Sequence, residues 1–65
     1  MNREKVKQIL LQGDTVSYHV WTFSERFMSC YHDLGCCDYD FKDVEECLNH
    51  INNLCNGDWE EVSED

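Results

Sequence analysis

The chain has no proline, and its only glycines are Gly13, Gly35 and Gly57. Without a Pro- or Gly-rich stretch there is no linker to divide it, and without a glycine-rich loop there is no cradle for a phosphate. Long apolar runs are missing too. Residues 1–13 offer only Ile9-Leu10-Leu11, far short of the apolar heart of a secretory signal, and no span approaches the ~18 apolar residues of a membrane helix. Bases are the scarcest charged type. Five Lys and Arg face fourteen Asp and Glu, for a net charge of -9. After Gly13, Arg26 and Lys42 stand alone against thirteen acids. Direct nucleic-acid binding needs a basic patch, so that class is disfavoured.

What is present is a single short domain over residues 1–65, with 58–65 a candidate acidic tail. A chain of this length buries only about 60% of the surface its unfolded form exposes. A substrate pocket of roughly 300 Å3 or more would hollow out such a core, which argues against an enzyme. Self-repulsion among the acids keeps the chain soluble but opposes its compaction. The five cysteines, Cys30, Cys36, Cys37, Cys47 and Cys55, are an odd set without a signal peptide. That points to reduced thiols in the cytoplasm.

Residues 2–12 read as an amphipathic helix, with Val6, Ile9 and Leu10 on one face and Gly13 as its stop. Asp14 to Phe23 reads as one central strand, rich in Val, Thr, Tyr and Trp. Val16, Tyr18 and Val20 take one face and His19, Trp21 and Phe23 the other. Residues 26–32 admit a strand, or a helix through Phe27, Met28, Tyr31 and Leu34 ended by Gly35. The strand is preferred because a central strand needs both edges paired. Residues 36–41 alternate Cys37, Tyr39 and Phe41 with Asp38 and Asp40, the pattern of a half-buried strand.

A second helix follows. Asp43 and Glu46 fit a capping box, and Val44, Cys47, Leu48, Ile51, Leu54 and Cys55 trace one apolar stripe. The expected fold is therefore α+β: an N-terminal helix, a three-stranded antiparallel sheet, and a C-terminal helix packed on it. The last residues, "DWEEVSED", read as an acidic tail or as a short extra strand through Trp59 and Val62.

"CCDYDFKDVEECLNH" mixes thiols with acids and raises the question of a metal. No pair among these cysteines and His32 or His50 has a recognised zinc spacing. Cys47 and Cys55 fall within the apolar stripe, and Cys37 is in phase with Tyr39 and Phe41. Thiols so placed behave as small hydrophobes. No metal, cofactor or catalytic residue is expected. Cys30 and His32 form the nearest thing to a nucleophile pair, and no oxyanion loop accompanies them.

The acids remain. Asp38 and Asp40 are expected on one wet strand face, and Asp43, Glu45 and Glu46 around the start of the second helix. Asp58, Glu60 and Glu61 lie beyond its end, around Trp59, a natural interface anchor. A twelve-residue helix would hold the two groups roughly 18 Å apart. Carboxylates at that separation could span a groove built for phosphates.

In "NREKVKQILLQGD", "TVSYHVWTF" and "DVEECLNHINNLCNGDWEE" the chain resembles, in size, charge and element order, the small acidic anti-CRISPR proteins of phages. The five cysteines depart from that pattern. The resemblance implies a DNA mimic that occupies the nucleic-acid groove of an RNA-guided nuclease in the bacterial cytoplasm. The alternative is a small interaction module, zinc-stabilised or using an apolar surface, with a homodimer as one form of it.

Overall fold

The structure, a computed structural model, describes residues 1–24, 28–31 and 36–64. Residues 28, 30, 31 and 36–39 are described by their backbone alone. The fold is α+β, with an N-terminal helix, an antiparallel sheet and a C-terminal helix.

Helix α1 spans Arg3–Leu11. Asn2 caps it, its side chain accepting the Lys5 N–H at 2.8 Å, which satisfies one of the free donors of the first turn. Gly13, at φ +94, carries the chain out of the helix. Val6, Ile9 and Leu10 form its buried face.

The segment expected to be one strand is two. β1 is Val16–Tyr18 and β2 is Trp21–Phe23. The chain reverses at His19-Val20, so that Tyr18 pairs with Trp21 and Val16 with Phe23. His19 sits at φ 54, a left-handed conformation that histidine enters more readily than β-branched residues do. Reversal also changes the faces. Cross-strand partners share one face, so Val16 and Phe23, both fully buried, lie together instead of on opposite sides.

β3 is Met28–Tyr31 and β4 is Cys36–Asp40. Strand geometry at residues 28–31 excludes the helical reading there; the rest of that reading, at Phe27, Leu34 and Gly35, lies outside the described residues, as do Arg26 and His32. Between β3 and β4 the register slips. Ser29 pairs with Tyr39 and Cys30 with Cys37, which leaves Asp38 without a partner. The pattern is that of a β-bulge, which breaks the period-two alternation on which the shared face of Asp38 and Asp40 rested.

Helix α2 covers Val44–Cys55. Asp43 caps it, accepting the Glu46 N–H at 2.9 Å. The expected stripe is the buried one: Cys47, Leu48 and Ile51 are fully covered and Cys55 nearly so. Asn56 and Gly57 both take positive φ, and the Gly57 N–H returns to the Asn52 carbonyl, closing the helix end.

Residues after Gly57 follow the extra-strand alternative in part. Trp59–Glu61 make a single 3-10 turn, Val62 is buried, and β5, Ser63–Glu64, adds to the free edge of β1. The strand begins after Val62 rather than at Trp59. The sheet order is thus β4-β3-β2-β1-β5, five strands rather than three. Both helices and the sheet share one core, in which Phe23, Leu10, Leu48 and Ile51 are the largest buried side chains. Each of these contributes about 1.5–3 kcal/mol through burial. His50, at the edge of the stripe, lies against Trp21, Phe23 and Phe41, the last at a ring separation of 5.2 Å. It closes the aromatic side of the core.

Candidate functional site

Two groups of acids flank α2, and the fold treats them differently. Twelve residues of helix put about 18 Å between its ends.

At the N-terminal end the acids are largely occupied. Glu45 takes Arg3 at 2.7 Å through one oxygen and Lys7 at 3.0 Å through the other. Those two hydrogen bonds, Arg3 first, hold its carboxyl below the ordinary value. Glu46 lies 4.0 Å from Lys42. Asp43 serves the cap. Carboxylates here also meet the positive pole of the helix, so local stability accounts for them. Asp40 is exposed at the end of β4. Asp38 has its backbone at the bulge, and its side chain lies outside the described residues.

The C-terminal end is different. Asp58, Glu60, Glu61 and Glu64 are all exposed, and none of them has a Lys or Arg salt bridge among the described residues. Glu61 approaches His19 Nε2 at 3.1 Å, a partner charged only when protonated. Asp58 Oδ1 accepts the Glu60 N–H at 3.2 Å. The last turn of α2 carries no base, so these carboxylates sit by the negative pole of the helix, where they cost stability. Their field reaches a neighbour. The Tyr18 phenol is pushed above its ordinary value by desolvation first, and then by Glu61, Cys55 and Asp58.

Trp59 stands among these acids, half-buried. Its indole N–H donates to Asn52 Oδ1 at 3.1 Å, which fixes the ring on the end of α2. The Met1 nitrogen donates to the carbonyls of Trp59, at 2.8 Å, and Val62, at 3.1 Å. Around the ring is an open cleft of about 390 Å3, lined by Met1, Asn2, Gly57, Asp58, Trp59 and Glu60. The Trp59 ring and the Asp58 and Glu60 carboxylates in this lining suit a cationic side chain, by attraction to the ring and by charge, which would share the cleft with the Met1 ammonium.

Of the residues expected to contact a partner, Asp58, Trp59 and Glu60 thus line one cleft, with Glu61 beside it. Asp40, Asp43, Glu45 and Glu46 belong to the other end. Sequence reasoning missed Asn52 and Gly57. Asn52 lies on the wet face of α2 seven residues before Trp59, a spacing with no recognisable signature, and Gly57, just past the stripe, looks like any helix-ending glycine. Among the described residues no group of three His, Cys, Asp or Glu is placed to hold a metal ion, and no helix is long and apolar enough to cross a membrane.

Compared with known proteins, the chain matches no family model, no curated protein and no solved structure.

Proposed function

We propose that the chain is a non-enzymatic inhibitory binding protein that works in the cytoplasm of a bacterial host. Its acidic surface mimics the phosphates of nucleic acid and blocks the nucleic-acid groove of a basic partner. An RNA-guided nuclease is the partner that the resemblance to anti-CRISPR proteins supplies. The observation that carries the reading is the placement of Asp58, Glu60 and Glu61 beyond the unfavourable end of α2, without Lys or Arg partners among the described residues. Asp58 caps the short 3-10 turn and Glu61 meets His19, but Glu60 and Glu64 have no such local role among the described residues, and a basic partner would give the whole group one. Carboxylate–guanidinium pairs made on docking are charge-assisted and strong, and Trp59 supplies an anchor that gains from being buried. Asp40 and Asp43, both exposed at the other end of α2, extend the negative surface, while Glu45 is held by α1 and serves mainly to join the helices.

The test is affinity capture from bacterial lysate at low and high salt, with mass spectrometry of the eluate and duplex DNA as competitor. Basic nucleic-acid-binding proteins released by salt and by DNA are expected. Partners that resist both, or self-association through an apolar face, would overturn the reading.

A further inference from the structure

The acidic surface uses none of the five cysteines, and the fold sorts them into two sets. Cys47 and Cys55 are buried in α2. The other three lie on β3 and β4, where register decides their relations. Cys36 stands opposite Tyr31, whereas Cys30 and Cys37 are direct partners across the strands, beside the bulge. Directly opposed residues of antiparallel strands have Cα atoms about 4.5–5.5 Å apart. That lies inside the ~4.4–6.8 Å range over which a disulfide closes without moving the backbone.

We propose that Cys30 and Cys37 form a redox-responsive cross-strand pair that closes to a disulfide by exchange with a low-molecular-weight disulfide such as oxidised glutathione. One thiolate attacks a glutathione sulfur, the glutathione S–S bond breaks, and the first glutathione leaves as thiolate. The second cysteine thiolate then attacks the mixed disulfide and releases the other glutathione. Two electrons pass from the protein to glutathione, and the two cysteine protons end on the two glutathione thiols. Cys36 is excluded by register and the α2 thiols by burial. The cross-link fixes the β3–β4 register at its slip and staples the strand that carries Asp38 and Asp40. It does not depend on the acidic-surface reading.

The test incubates the full chain with oxidised glutathione, alkylates the remaining thiols and maps the peptides, with fragment ions separating Cys36 from Cys37. The expected result is the loss of two free thiols in a Cys30–Cys37 link. A rise of roughly 10–20 °C in the melting midpoint, reversed by dithiothreitol, should accompany it. Cys36→Ser keeps the link, and Cys37→Ser converts it to a lasting glutathione adduct. Five alkylatable thiols after oxidation, a link through Cys36, or adducts without a link in the unsubstituted chain would overturn the proposal.

Discussion

Arg3 on α1 reaches across to Glu45 on α2, 2.7 Å away, and Lys7 takes the other carboxylate oxygen. The only basic cluster in the sequence is thereby spent on the N-terminal end of α2. At the other end, among the described residues, the acids have no Lys or Arg partner, and the cation beside them is the Met1 ammonium on the Trp59 and Val62 carbonyls.

Glu45→Gln separates these roles. Loss of both pairs lowers stability modestly, because the groups are about half exposed and water screens them. Its carboxyl is depressed below its ordinary value when folded, so the stabilisation is present above that value and is lost as pH falls through the folded one. Denaturation of the two proteins across this range should show the gap closing in acid, and closing with salt. Partner affinity should be unchanged by Glu45→Gln and reduced by Asp58→Asn/Glu60→Gln.

Cys47 carries a linkage of the opposite sign. Burial pushes its thiol from 9.0 up to about 12. A group raised on folding stabilises fully below its unfolded value, and that contribution is lost as pH rises from about 9 toward about 12. Alkaline unfolding should therefore begin in this window and recede in Cys47→Ala. The substitution itself should cost about 1–3 kcal/mol at neutral pH, the scale of a small buried cavity, as read by urea denaturation.

His19 sets the hairpin. Val at this position would force a β-branched residue to φ 54 and should destabilise by about 1–2 kcal/mol. Gly should be tolerated, since it takes that conformation freely and the exposed contact with Glu61 is worth little. Equal destabilisation by both would show that the imidazole, rather than the backbone, holds the turn.

Much of this architecture was legible beforehand, and the misses have local causes. α2 announces itself through Asp43, Glu46 and a stripe of which Cys47, Leu48, Ile51 and Cys55 are buried and Val44 and Leu54, at its margins, partly so. The β1–β2 reversal is hidden because "YHVW" contains no glycine or asparagine, so nothing marks a turn inside a β-rich run. β5 is two residues long, too short for any periodicity. The bulge at Asp38 is invisible because alternation continues through it in the sequence. At the candidate site, Asp58, Trp59, Glu60 and Glu61 were readable as an acidic cluster with an anchor. That Glu45 would be neutralised was not, since it depends on α1 packing beside α2, a contact between residues 42 positions apart.

The most direct test of the acidic surface is the salt dependence of affinity for the captured partner. It should be measured between about 50 and 200 mM salt, a range over which charge-driven association weakens steeply. The chain should lose affinity across this range, and duplex DNA should compete with it for the partner. Asp58→Asn/Glu60→Gln/Glu61→Gln should bind more weakly and with a flatter slope. An affinity indifferent to salt and to these three substitutions would contradict the account.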